Sequence, residues 1–365
     1  MSEDRSNLNS IRAANSHNAF DLRRVGANPN YWYPVAWCDE LKVARTLGRC
    51  FAGVPIVLYR GTSGQVFALE DRCAHRQVPL HLGVVKGDDL KCHYHGWTYN
   101  RSGKCVSVPY LGPDRLPNGV KSYPVREVSG LIFVFPGDPA LAESRLPTTL
   151  GSAHRSDFKT RRLNREVACH YTFMHENLFD MNHQFMHRKQ MGSIRANCIG
   201  RQHGDDWAQV EYSFSRTAGK SSMGEKVIVD LMRKRGQVKK DFSDHMRIRT
   251  DYPSQRLKVW IGRDIQETKD PVLDVWLCYT PLDAEQRTNR TYGYLSVKKP
   301  RVPGVIHAVW PFVIWFTENI FREDKAIVEF EQQAYDAQGA DWNNEIFPAL
   351  RDLRGVLARC GTPSG

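Results

Sequence analysis

The chain has 365 residues, 41% of them hydrophobic, so it can bury more than one core; two domains are expected and a disordered or fibrous class is excluded. Its net charge of +11 includes seven Lys or Arg against two Asp between residues 231 and 249, which reads either as solvated surface or as a docking face for an acidic partner; without any nucleic-acid-binding motif, nucleic acid is not an expected partner. Nine cysteines, an odd number, behind the polar start MSEDRSNLNSIRAAN favour ligand or free-thiol roles over a disulfide framework and predict a cytoplasmic protein.

Residues 1–29 are polar and aperiodic and read as an N-terminal extension. From 30 to 137, short strands at 55–59, 66–69, 96–99, 120–125 and 131–135, parted by turn-rich pieces such as GTSGQ and NRSGK, predict a small all-β domain. The segment PGDPALAESRLP, from Pro136, marks a linker. Residues 138–365 form the expected second domain. A helical stretch at 171–189, several strands between 206 and 297, and a long helix at about 317–337 predict an α+β fold in which helices cover a curved antiparallel sheet. The aromatic window 305–321 reads first as a core helix and second as the lining of a pocket for a bulky apolar molecule. It contains His307, Pro311, Thr317, Glu318 and Asn319, so no membrane-spanning segment is expected there.

Two constellations carry chemistry. Cys73-Ala74-His75 and Cys92-His93-Tyr94-His95 are C-x-H and C-x-x-H pairs in turn-like stretches. Two thiolates and two imidazoles suit a tetrahedral zinc site, and they suit equally an iron-sulfur cluster with two Cys on one iron and two His on the other.

The second constellation lies in HENLFDMNHQFMH. On a helix, Asp180, His183 and His187 fall at i, i+3 and i+7, a polar stripe among Phe179, Met181, Phe185 and Met186. Burying such a stripe requires a compensating partner such as a metal. Two imidazoles and one carboxylate on one face of Fe(II) leave positions open for dioxygen, and His183 and His187 are the expected imidazole ligands.

The run CAHRQVPLHLGVVKGDDLKCHYHGWTYNRSGKCVSVP resembles the Rieske domain along its whole length, including Gly96-Trp97 after the last histidine and Gly103 before Cys105. The spacing Asn177-x-x-Asp180-x-x-His183 resembles the catalytic motif of Rieske-type non-haem iron oxygenases. By that resemblance, Cys73 and Cys92 hold the buried iron of a 2Fe-2S cluster and His75 and His95 the outer one, while His81, His93 and Cys105 are structural. The late segment REDKAIVEFEQQ points to Asp324 as the third ligand of the mononuclear iron, with Glu323 the weaker candidate. Asp180 is the expected bridging carboxylate, hydrogen-bonded between His183 and a Rieske histidine, His95, of a neighbouring subunit, and Asn177 is expected in the same pocket. The family more commonly places four residues between its two histidines, whereas here only Gln184, Phe185 and Met186 intervene; were His187 displaced, His175 or His170 would be alternatives.

The resemblance further implies a Rieske domain followed by a helix-grip, START-like catalytic domain. It implies a head-to-tail homotrimer, O2 as co-substrate, a small organic substrate, and electrons from NAD(P)H through a separate reductase, with or without a ferredoxin. Chain length resembles the monooxygenase and demethylase branch, so hydroxylation or oxidative demethylation of an apolar or aromatic compound is expected. A cis-dihydroxylating dioxygenase and a pure electron-transfer Rieske protein are the alternatives.

Overall fold

The computed structural model describes residues 21–112, 116–147, 150–192, 194–216, 244–261, 270–300 and 302–363. The chain separates into two compact units. One comprises Ala27–Leu150 with Cys278–Tyr292; the other comprises Gly151–Leu277 and Gly293–Gly365 with the segment up to Gly26. The sequence put the boundary at 137/138. Residues 138–150 instead pack with the first unit, where the Trp32 indole donates to the Ala142 carbonyl at 3.1 Å. Residues 278–292 join it because Ala52 and Gly53 donate main-chain bonds to Pro281 and Leu282.

The first unit is all-β. Strands Thr46–Phe51, Val54–Arg60, Val66–Glu70 and Ser122–Tyr123 form one antiparallel sheet, and Tyr33–Trp37, Leu131–Val134 and Val125–Val128 form a second. A third sheet joins Val84–Lys86, Asp89–Lys91, Thr98–Tyr99 and Cys105–Ser107. Its core gathers Val57, Tyr59, Leu69, Leu80, Leu90 and Tyr99, and burying each such side chain contributes about 1.5–3 kcal/mol. The C-x-H pair follows the end of strand Val66–Glu70, and the C-x-x-H pair is the loop between Asp89–Lys91 and Thr98–Tyr99.

In the second unit a seven-stranded sheet contains β1 (Phe158–Val167), β2 (Ile194–His203), β3 (Trp207–Arg216), β4 (Asp244–Asp251), β5 (Ser254–Trp260), β6 (Leu273–Pro281) and β7 (Asn289–Lys298), in the order β1-β7-β6-β5-β4-β3-β2. From β2 to β5 the pairing is antiparallel, with Val210 opposite Ile248 and Ile248 opposite Leu257, all buried. The alternate positions Glu211 and Arg247 are ion-paired, as expected of a sheet with one apolar face. The helices are α1 (Tyr171–Phe179), α2 (Arg188–Met191), α3 (Val305–Gln338) and α4 (Pro348–Cys360). α1 packs on α3, α4 and β4; α3 packs on β1, and α4 on β2 and β3.

Two expected helices are corrected. The stretch 171–189 is not one helix: α1 ends at Phe179, a 3-10 turn covers Met181–Phe185, and α2 follows. The cause is local competition for backbone groups. Tyr212 donates its hydroxyl to the Phe179 carbonyl at 2.9 Å, and the Asp180 carboxylate accepts from Asn182 N at 2.8 Å. Conversely, the aromatic window and the late helix are one element, α3, which continues through Pro311. Its first half packs on β1, with Lys159 4.8 Å from the centre of the Trp310 ring, while Trp315 is 58% exposed. Of the basic run, Arg233, Lys234 and Lys239 lie outside the described residues; Arg247 and Arg249 lie on β4, paired with Glu211 and Asp251.

Candidate metal centres

The first centre lies wholly within the β unit. Cys73 and Cys92 are each 3% exposed, with their thiols in hydrogen-bond contact, and His75 and His95 are half-buried beside them. The two imidazoles stand edge to face, ring centroids 4.6 Å apart. Trp97 stacks flat on His75, at 4.7 Å and 2°. Gly96 adopts φ +74°, a left-handed conformation costly for other residues, and so turns the chain between His95 and Trp97. Gly103 has φ +77°, and a Cβ there would meet the Val120 carbonyl oxygen at 2.0 Å, which accounts for glycine before Cys105.

Two polar atoms bear on what this centre holds. His75 Nδ1 is buried and makes no hydrogen bond among the described residues, as suits a nitrogen that ligates a metal. The Tyr99 hydroxyl lies 3.2 Å from Cys73 Sγ and accepts from Ala74 N at 3.0 Å; burial first, and then Cys73, push its pKa well up, so it keeps its proton. Deep sulfurs with shallower imidazoles fit the division of a Rieske cluster, two cysteines on one iron and two histidines on the other. The other candidates are otherwise engaged. His81 binds Asp71 through both its ring and its main chain, Cys105 packs in the core, and His93 is exposed.

The second centre lies wholly within the sheet-and-helix unit. One ligand atom each from His183, His187 and Asp324 lies within 4.8 Å of the other two. His183 Nε2 is 3.6 Å and His187 Nε2 3.1 Å from Asp324 Oδ1. The imidazole rings are 5.2 Å apart and nearly perpendicular, at 83°. The 3-10 turn followed by helical Met186 brings the closely spaced histidines together, so the short interval costs no convergence. Burial opposes the charged form of His187, and Asp324 and Glu323 outweigh it, leaving the pKa above its ordinary value. Two imidazoles and a carboxylate meeting from two elements make the donor set of a facial triad, which these residues fit.

The remaining expectations divide. His170 caps α1, its Nδ1 2.7 Å from the Thr172 hydroxyl, and His175 is fully buried; neither belongs to the convergent set. Asp180 does not meet His183 through its carboxylate. The helix break turns that carboxylate onto Asn182, and the Asp180 main-chain carbonyl takes the His183 Nδ1 proton instead. Asn177, Asp180 and His183 line one pocket of about 250 Å³ with Glu331, Asn344 and Glu345. The sequence singled out Gly96-Trp97 by resemblance but not the stacking of Trp97 on His75, and it gave no sign of Tyr99 or the 343–345 segment, which carry no ligand signal of their own.

Residues 31–124 match the Rieske [2Fe-2S] domain family and residues 167–347 the vanillate O-demethylase oxygenase C-terminal domain. The 4beta-methylsterol monooxygenase of Methylococcus capsulatus is 30% identical over 347 residues, covering 91% of this chain and 88% of that protein. The oxygenase component of dicamba O-demethylase from Stenotrophomonas maltophilia is 37% identical, but over 44% of this chain and 47% of that protein. Dicamba monooxygenase bound to dicamba shares the fold, with TM-score 0.72 and 24% identity over 91% of this chain and 97% of that one. The chain belongs to the Rieske-type non-haem iron oxygenases. Within that family it is an oxygenase component of the monooxygenase and demethylase type, an oxidoreductase that incorporates oxygen from O2. Among the described residues no helix is long and apolar enough to cross a membrane.

Proposed function

We propose that this chain inserts one oxygen atom from O2 into an apolar or aromatic substrate, hydroxylating it or removing a methyl group oxidatively, with NAD(P)H electrons arriving through a separate reductase or ferredoxin. The observation that carries this is the convergence of His183, His187 and Asp324, the two-imidazole, one-carboxylate donor set that would hold Fe(II) while leaving positions for dioxygen. Cys73, Cys92, His75 and His95 would hold the 2Fe-2S cluster; His183, His187 and Asp324 would hold the mononuclear iron. When bound, the cluster supplies single electrons and the Fe(II) supplies open coordination positions for dioxygen.

The residues around these groups have separate tasks. The Tyr99 hydroxyl beside Cys73 would donate to that sulfur once it is a cluster-bound thiolate, and would so favour the reduced, more negative state. The Asp180 carbonyl fixes the tautomer of His183 so that Nε2 faces Asp324. The pocket beside Asp180 gathers carboxylates of Glu176, Glu331 and Glu345, a poor lining for an apolar substrate. It suits the cluster edge of a second copy, where Arg76, Lys91 and His93 are exposed, and so supports a head-to-tail homo-oligomer in which Asp180 and Asn177 meet that edge.

The full-length likeness to a monooxygenase favours single-atom insertion over cis-dihydroxylation. Turnover under 18O2 with a reductase and a panel of methylsterols and methoxybenzoates tests this. One labelled atom in the alcohol, or in the aldehyde released from a methyl group, is expected; two labelled atoms in a cis-diol overturn the reading.

A further inference from the structure

Asp324 and Glu323 are consecutive on α3, and both reach the imidazole of His187, from opposite sides. Asp324 Oδ1 faces Nε2 at 3.1 Å, and Glu323 Oε2 faces Nδ1 at 2.8 Å. The second Glu323 oxygen, Oε1, accepts a bond from Gln190 Nε2 at 2.8 Å. Gln190 belongs to α2, which begins directly after His187, and its main-chain N–H donates to the His187 carbonyl at 3.0 Å. The carboxylate therefore closes a small loop, with one oxygen on the ring and the other on the next helical turn.

We infer that Glu323 is a positioning residue: it holds the His187 proton on Nδ1 and so presents the Nε2 lone pair to the metal beside Asp324. The inference rests on the reading of His183, His187 and Asp324 as an iron site. Three features support it. Both Glu323 oxygens already accept hydrogen bonds on the far side of the ring, so the side chain is engaged away from the Nε2 atoms. His187 is 2% exposed, so solvent does not supply the Nδ1 partner instead. A ligating imidazole backed by a carboxylate is oriented and made more basic, and losing such a partner typically weakens metal affinity about 10- to 100-fold.

The two imidazoles are then unequal. His183 is backed by the neutral carbonyl of Asp180, and His187 by a carboxylate. His187 is the stronger donor of the pair, and the anionic partner acts on it alone.

Fe(II) and Co(II) binding is measured by titration into cluster-loaded, mononuclear-metal-free wild type, Glu323→Ala, Glu323→Gln and Asp324→Ala. The visible Rieske spectrum and the melting temperature before metal addition serve as controls, and the Co(II) ligand-field spectrum as a readout of geometry. Affinity about 10- to 100-fold weaker in Glu323→Ala, substantially restored in Glu323→Gln, with a shifted Co(II) spectrum and unchanged controls, is expected. Affinity equal to wild type in Glu323→Ala overturns the inference alone. Loss of binding as complete as in Asp324→Ala also overturns it, because Glu323 would then itself be a ligand. Wild type that binds neither ion sinks the iron-site reading and the inference together.

Discussion

The imidazole of His75 lies parallel to the indole of Trp97, planes 2° apart and centroids 4.7 Å apart, so the ring expected to hold the outer iron is clamped by the residue following the Gly96 turn. Trp97→Ala removes that face and about 3–5 kcal/mol of packing from the β unit, whereas Trp97→Phe retains a stacking ring. Bleaching of the visible cluster spectrum by a chelator measures the effect. Faster loss in Trp97→Ala than in Trp97→Phe is expected, and equal rates contradict the clamp.

Arg354 bridges Glu176 and Asp341 with two bonds of 2.6 Å, while Arg23 takes the other oxygen of Glu176. Their side chains are nearly enclosed, so Arg354→Met takes the cationic partner from Asp341 and leaves Glu176 with Arg23 alone. Breaking a buried network in this way costs about 3–5 kcal/mol. Denaturant unfolding reads the loss. Adding Asp341→Asn in the same chain recovers much of it if uncompensated charge is the cause.

Acid lability follows from His175. Burial holds its pKa down to about 3, against about 6.5 for a free ring. Above about pH 7 neither the folded nor the unfolded state binds the proton. Between about 6.5 and 3 the unfolded chain binds it and the folded chain does not, so stability falls as pH falls. His175→Gln flattens the decline in melting temperature between pH 7 and pH 5 measured on the same preparation; an identical slope excludes His175 as a source.

Asp180→Asn keeps the turn, since an amide oxygen still accepts from Asn182 N, but removes the charge beside the His183 pocket. Losing the charge-assisted hydrogen bond proposed between Asp180 and a second copy, about 1.5–3 kcal/mol, is expected to lower coupled turnover roughly tenfold to hundredfold. Metal content and reduction of the cluster by dithionite stay at wild-type levels. Turnover matching wild type removes Asp180 from the proposed path between copies.

Much of both centres was legible because metal ligation is written in residue type and spacing. The C-x-H and C-x-x-H pairs named Cys73, His75, Cys92 and His95 without knowledge of the fold. Resemblance pointed to Asp324 ahead of Glu323, but the contact of Glu323 with His187 Nδ1 was not legible, because neighbours on a helix differ only in where each side chain points. The continuous helix expected over 171–189 failed for a tertiary reason: Tyr212, from β3, takes the Phe179 carbonyl that the next turn would have used. α3 ran longer than expected because its apolar packing on β1 outweighs the interruption at Pro311. In the β unit the strands Val54–Arg60, Val66–Glu70 and Leu131–Val134 were legible from alternation and turn residues, whereas Tyr33–Trp37, Thr46–Phe51, Val84–Lys86, Asp89–Lys91 and Cys105–Ser107 were not.

The central claim is two metal centres in one chain, and iron and acid-labile sulfide content with the visible spectrum tests it most directly, in wild type and in His183→Ala/His187→Ala reconstituted with Fe(II). About three irons and about two sulfides per wild-type chain are expected, falling to about two irons in the variant with the Rieske spectrum intact. Two irons in both proteins would contradict it, leaving His183, His187 and Asp324 without a metal and the chain with electron transfer alone.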